Sequence, residues 1–164
     1  MLHIVLLEPE IPMNTGNIGR TCAATGVRLH LIRPLGFELT DKMIKRSGLD
    51  YWNRLDYRVY DDVPGFLEET HPKELWMATT KARRSYTEVT YSPDAYLMFG
   101  KESAGIPEEL LVQNEAHCVR IPMGHGIRSL NLSNSAAIIL YEALRQNAFP
   151  NLEEQGALHR LHWD

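Results

Sequence analysis

The sequence predicts an α/β fold, a parallel sheet flanked by helices; one pattern carries that expectation, and the place of the loops follows from it. Short apolar, β-prone runs alternate along the chain with segments of helical character, the pattern of strands joined by helical crossovers. The loops after Leu7, Thr80, Phe99 and Ile121 fall where ligands bind in such sheets, beyond the carboxyl ends of strands, and three of them combine glycine with unusual polar groups. The chain has 164 residues and no internal repeat, low-complexity segment or linker-like break. Residues 1–164 are therefore read as a single domain, with 151–164 a polar tail that is flexible or docks on a partner.

Each element has its own signal. His3 to Leu7 is apolar and ends at Glu8-Pro9. Asn14 to Arg20, NTGNIGR, leads into TCAATG; the small residues and a cap-like Asn14-Thr15 predict a loop turning into a helix that stops at Gly26. Leu29 to Ile32 is the second strand, closed by Pro34, and Thr40 caps a basic helix, DKMIKRSGL. Arg58 to Tyr60 is a weakly patterned strand, and Pro64 opens a helix that runs to Thr70. Leu75 to Thr80 is a strand followed by a basic loop, KARRSYTE. Tyr96 to Phe99 is another, ending in GKESAGIP, with Pro107 in a first helical turn before EELL. Cys118 to Ile121 is the last strand, and a long helix runs from about Asn131 to Gln146, with Pro150 beyond its end.

Composition narrows the function classes. A net charge of −4 argues against indiscriminate nucleic-acid binding through bulk charge, while leaving room for a local basic surface. No apolar run is long enough to span a membrane, and MLHIVLLEPEIP lacks a basic leader and a cleavage site, so a cytoplasmic protein is expected. Cys22 and Cys118 form no CxxC pair and read as reduced thiols. The seven histidines are scattered without cysteine or acidic companions, so no metal is expected.

Three stretches carry candidate chemistry. NTGNIG looks like a damaged dinucleotide fingerprint, with Asn14 where the first glycine belongs and Arg33-Pro34 where an acidic residue should end the second strand. A plain helix cap is the bland reading. A third reading suits the chemistry better: helix-start amides, a positive dipole end and the Arg20 fork hold an RNA phosphate. In GKESAGIP, Gly100 permits close approach of a ligand to backbone, and Glu102 either accepts a hydrogen bond from a ligand or favours a helix dipole. In RSLNLSNSAA, the polar residues from Ser129 to Asn134 exceed the single residue that a helix cap needs, which points to a site. Lys42, Lys45 and Arg46 form a basic helix face, and Lys81, Arg83 and Arg84 a basic loop; either is most often solvated surface, and Tyr86 beside the loop tilts it slightly toward RNA contact.

Read together, NTGNIGR, FGKESAGIP and IPM…SLNLSNSAA resemble, in order, the three motifs of the SPOUT superfamily in its SpoU/TrmH-type branch of RNA ribose 2′-O-methyltransferases. EPEIPMNTGNIGR, GLDY and YLMFG bring the likeness closest to members that methylate the wobble-nucleotide ribose, cytidine or modified uridine, of leucine tRNAs. The resemblance implies a deep C-terminal trefoil knot, which strand pattern alone would argue against. It also implies a homodimer whose second subunit helps complete the RNA site, S-adenosyl-L-methionine as cofactor without a metal, and the tRNA anticodon stem-loop as partner. By motif position, Asn14 and Arg20 serve the RNA and the reacting hydroxyl, with support from Glu102, Ser129 and Asn131. The cofactor is then held around Ala78, Thr79, Gly100, Ile121, Met123, Ser129 and Leu130, with Ile121 and Leu130 enclosing the adenine. Two other classes compete: a catalytically inactive knotted protein that binds RNA or the ribosome, and a nicotinamide-dependent enzyme, which Arg33 disfavours.

Overall fold

In the computed structural model, which describes residues 1–40 and 51–163, six strands form one parallel sheet. They are β1 His3–Leu7, β2 Arg28–Ile32, β3 Tyr57–Tyr60, β4 Leu75–Ala78, β5 Tyr96–Phe99 and β6 Cys118–Val119, in the order β3-β2-β1-β5-β4-β6. Every pairing between them is parallel. The helices among the described residues are α1 Pro12–Thr25, α2 Val63–Thr70, α3 Glu108–Val112 and α4 Leu132–Gln146, with single 3-10 turns at Trp52–Arg54 and Glu115–His117. The basic helix expected after Thr40, with Lys42, Lys45 and Arg46, lies outside the described residues.

Side chains alternate across the strands, and each face has its own cover. Ile4 and Leu6 of β1, Leu29 and Leu31 of β2, and Leu97 and Phe99 of β5 join one cluster with Ile18 and Cys22 of α1 and Ile139, Leu140 and Leu144 of α4. Val5, Leu7, Ile32, Met77 and Met98 point the other way, onto Phe66 of α2 and Leu111 of α3. All five residues of β1 are buried, as a central parallel strand requires.

The helix ends follow local chemistry. Asp62 caps α2, its Oδ1 accepting the Gly65 amide at 2.7 Å. Gly26 ends α1 in the left-handed conformation, φ 68°, and the amide of Val27 returns to the Cys22 carbonyl. Asn131 caps α4.

Four boundaries differ from the sequence expectation. Helix α1 begins at Pro12, so NTGNIGR is its body rather than a preceding loop; Asn14 and Thr15 are buried and cap nothing. Strands β4 and β6 stop at Ala78 and Val119 instead of Thr80 and Ile121. There the backbone leaves the main ladder: Arg120 donates its amide to the Arg84 carbonyl and accepts from the Tyr86 amide, each at 2.9 Å. The apolar run continues through Ile121, but as the wall of a cleft. Pro107 precedes α3 at its N-cap position, with an extended ψ of 139°, instead of lying in its first turn.

Candidate active site

The chain steps outward from β1 to β2 and β3 on one side, while β5, β4 and β6 build the other. The seam between β1 and β5 is therefore a topological switch point, where parallel sheets place their ligand crevice beyond the strand ends. The loops leaving those two strands meet there. Lys101, just after β5, pairs with Glu8, just after β1, at 2.9 Å. Ser103 donates its amide (2.9 Å) and hydroxyl (2.8 Å) to the Glu10 carboxylate. These bonds hold the Glu10 carboxyl below its usual range, and the hydrogen bond to Glu8, followed by its charge, raises the Lys101 ammonium. Glu8 itself takes a left-handed backbone, φ 52°, unusual for a residue other than glycine, at the point where the chain turns off the sheet.

Glu102 occupies the centre of this junction. Its Oε2 accepts the Glu10 amide at 2.8 Å; its Oε1 accepts the Ile11 amide and the Asn14 Nδ2, both at 3.1 Å. Ile11 stands at the N-cap position of α1 and has no side-chain acceptor to offer. A carboxylate 91 residues away in sequence takes its place, and its charge sits at the positive end of the helix. With its nitrogen committed to Glu102, Asn14 turns its Oδ1 to the Asn131 Nδ2, 3.0 Å away. The Asn131 Oδ1 in turn accepts from the Ser133 amide (2.9 Å), the Ser133 hydroxyl (2.6 Å) and the Asn134 amide (3.4 Å). The orientation of both amide groups follows from this network, since each nitrogen faces an acceptor and each oxygen a donor. Glu102, Asn14 and Asn131 thus link the β5 loop, α1 and α4 in one chain of hydrogen bonds.

That chain borders a cleft of about 1000 Å³. Asn14, Glu102, Ser129 and Asn131 all line it. So do the residues expected to hold a cofactor: Ala78 at the end of β4 and Thr79 just beyond it, Gly100 after β5, and Ile121, Met123 and Leu130 in the segment between β6 and α4. Its lining is apolar at Val119, Ile121, Leu130 and Ile139, and includes the β5 loop and Lys81. Lys81 also pairs with Glu108 at 3.1 Å, an exposed contact of little weight.

The structure adds to what the sequence says of Gly100 and Arg20. Gly100 is required by its own loop before any ligand: a Cβ there would lie 2.1 Å from the Gly105 carbonyl carbon and 2.2 Å from the Ile106 nitrogen. Arg20 is not brought to the cleft. Six residues beyond Asn14 on a helix, it projects from a different face and stands roughly 9 Å farther along the axis. It is exposed, with its Cζ 5.8 Å from the centroid of the Tyr51 ring.

Glu8, Glu10, Lys101 and Ser103 join the junction without standing out in the local sequence. Their signal was present as E-P-E after one strand and K-E-S after another, but it acquires meaning only once β1 and β5 are neighbours. Among the described residues, no group of histidine, cysteine, aspartate or glutamate is arranged to hold a metal ion. No described helix is long and apolar enough to cross a membrane.

Residues 1–141 match the SpoU rRNA Methylase family. A candidate tRNA (cytidine(34)-2′-O)-methyltransferase of Geobacillus stearothermophilus is 50% identical over 154 residues, covering 92% of this chain and 98% of that protein. The tRNA (cytidine(34)-2′-O)-methyltransferase of Escherichia coli (strain K12) is 47% identical over 151 residues, covering 92% of this chain and 96% of that protein. A solved structure described as giving insights into the 2-OH methylation of C/U34 on tRNA superimposes with a TM-score of 0.85 at 44% identity. That match covers 90% of this chain and 97% of the other.

Proposed function

Since the chain belongs to the SpoU rRNA Methylase family, we propose that it is a tRNA ribose 2′-O-methyltransferase that uses S-adenosyl-L-methionine on the wobble nucleotide, cytidine or modified uridine, of leucine tRNAs. The observation that carries this reading is the convergence of all three motifs on one cleft, through the hydrogen-bonded chain Glu102–Asn14–Asn131. Relatives described as acting on position 34 of tRNA supply the substrate class.

The cleft's lining fits the cofactor. The apolar lining at Ile121, Leu130 and Ile139 suits an adenine face, and the backbone near Ala78, Thr79, Gly100 and Met123 suits its polar edge and ribose. When bound, S-adenosyl-L-methionine supplies a methyl group on a sulfonium, a reaction that requires no metal. The protein's part is then positioning and proton management. Asn14 and Asn131 hold α1 against α4 beside the cleft, and Glu102 fixes the start of α1. Ser129 contacts the ribose, a role supported by its exposure and its place in the cleft lining. Arg20 orients an RNA phosphate and stabilises charge developing on the 2′-oxygen, since guanidinium is a poor base and a good anion clamp.

The place of Arg20 outside the cleft of its own chain supports a homodimer, in which the arginine of a second copy completes the site. The path of the C-terminal segment supports a trefoil knot within a single domain. Arg120 is bonded to the β4–β5 connection at residues 84–86, and farther along Gln146 at the end of α4 bonds Val89 and Tyr91 of the same connection. A cytoplasmic location follows from the tRNA substrate, and the anticodon stem-loop is the part of it engaged.

The test is transfer of labelled methyl from S-adenosyl-L-methionine to bulk tRNA lacking ribose methyls, with digestion to nucleosides. A 2′-O-methylpyrimidine assigned to position 34 of leucine tRNA is the expected product. Cofactor binding without transfer to any tRNA pool would leave an RNA-binding protein in its place. Arg20→Ala should lower turnover by orders of magnitude, about 10²-fold or more, with cofactor affinity unchanged.

A further inference from the structure

We propose that Tyr51 is a positioning residue for Arg20, an inference that rests on the role just given to that arginine. The Arg20 Cζ lies 5.8 Å from the Tyr51 ring centroid, within the range of a cation held on an aromatic face. Tyr51 is itself fixed. Its hydroxyl donates to the carbonyl of Gly16, one helical turn before Arg20. The next residues anchor it in the core: Trp52 and Leu55 are each 8% exposed, and the Trp52 ring packs on Tyr57 at 5.0 Å.

Gly19 makes this approach close. A Cβ at Gly19 would lie 3.1 Å from Leu55 Cδ2, 3.3 Å from Trp52 Cζ3 and 3.7 Å from Tyr51 Cε2. Gly19 therefore presents α1 to the segment 51–55 as bare backbone, and Tyr51, bonded to the Gly16 carbonyl, reaches Arg20. A long arginine on an exposed helix face otherwise samples many rotamers, and ordering it at the moment of RNA binding costs entropy. The ring removes part of that cost in advance. It does so through its face, not through an oxygen acceptor, so the guanidinium donors remain for an anionic oxygen of the RNA. Carboxylate pairing would have used up those donors.

The proposal is tested by NMR and by a double-mutant cycle on the full chain. In the free protein, the Arg20 Cδ protons should be shifted upfield by the ring current, and Tyr51→Leu should abolish the shift. An unshifted Arg20 in the unmodified protein overturns the proposal whatever the variants do. Under single turnover, Tyr51→Leu should lower the methyl-transfer rate roughly three- to ten-fold at unchanged cofactor affinity. Tyr51→Phe, which keeps the ring and removes the hydroxyl that bonds Gly16, should stay within about three-fold of the unmodified rate. In an Arg20→Ala background, Tyr51→Leu should have no further effect. Equal losses in both backgrounds would assign Tyr51 a purely structural part and overturn this inference alone. Undiminished transfer by Arg20→Ala would instead overturn the role of Arg20, and the inference with it. If Tyr51→Leu does not fold, the proton shift and the Tyr51→Phe rate decide.

Discussion

Glu102 does for α1 what Ile11, at the head of that helix, cannot do. It takes two backbone amides and the Asn14 side chain into one carboxylate. Glu102→Ala leaves these donors without their acceptor and should cost about 1–3 kcal/mol of stability in a urea titration. Glu102→Gln keeps one acceptor oxygen and should cost less. If Glu102→Ala melts like the unmodified protein, solvent replaces the carboxylate and its structural part is wrong. Gly100 is the second residue with a sharp expectation. Gly100→Ala forces a methyl into the backbone of Gly105 and Ile106, so it should lower both stability and S-adenosyl-L-methionine affinity, measured by calorimetry. Full cofactor affinity in that variant would mean that the loop relaxes freely. Both residues were legible in the sequence as unusual groups in a glycine-bearing loop. Their partners were not, because a contact across 91 residues depends on which strands are neighbours, and local pattern does not encode that.

Among elements, the join between α1 and α4 separates two roles that one residue combines. Asn131 caps α4 through its oxygen and binds Asn14 through its nitrogen. Asn131→Ala removes both and should cost about 1 kcal/mol or more in thermal unfolding. Asn131→Asp keeps the cap and loses the donor to Asn14, so it should retain most of the stability yet lower methyl transfer. Equal activity of Asn131→Asp and the unmodified protein would show that the link to Asn14 is dispensable. A second arrangement crosses β1, β2 and β3. His3 Nδ1 lies 2.9 Å from His30 Nε2, and His30 Nδ1 lies 2.8 Å from the Tyr60 hydroxyl. Burial, followed by the neighbouring positive charges of Arg28 for His3 and of His3 for His30, lowers the two histidines from 6.5 to about 4 and about 3. The unfolded chain therefore binds more protons below pH 6.5. The contribution of this pair is complete above that pH and is lost as pH falls toward 4 and then 3. The urea midpoint should drop between pH 7 and pH 4, and less steeply in His30→Leu; an identical slope in that variant would contradict the assignment. Strand and helix identities were legible because hydrophobic spacing is local. The start of α1 was not: Pro12 opens the helix, and the small, polar NTGNIG that looks like a loop is the sequence a helix needs to pack tightly against 51–55 and α4.

For the whole molecule, alternation of strands and helices was enough to read a parallel sheet with two covered faces, and the strand order β3-β2-β1-β5-β4-β6 adds the switch point that gathers the motifs. Nothing in the local sequence specifies that order, since each apolar run would fit equally well beside several others. The position of Arg20 away from the cleft of its own chain gives the proposed dimer a functional reason. Sedimentation equilibrium at micromolar concentration should return twice the 18.8 kDa chain mass, and the monomer mass in a fully active preparation would contradict the shared site. The central claim, methyl transfer to one ribose oxygen, is tested most directly by two leucine tRNAs that differ in a single atom. One carries the ordinary 2′-hydroxyl at position 34 and the other a 2′-deoxynucleotide there. With labelled S-adenosyl-L-methionine, the first should take up one methyl group per molecule and the second none. Equal labelling of both would place the reaction at another atom, and labelling of neither by protein that binds the cofactor would deny this tRNA as its substrate.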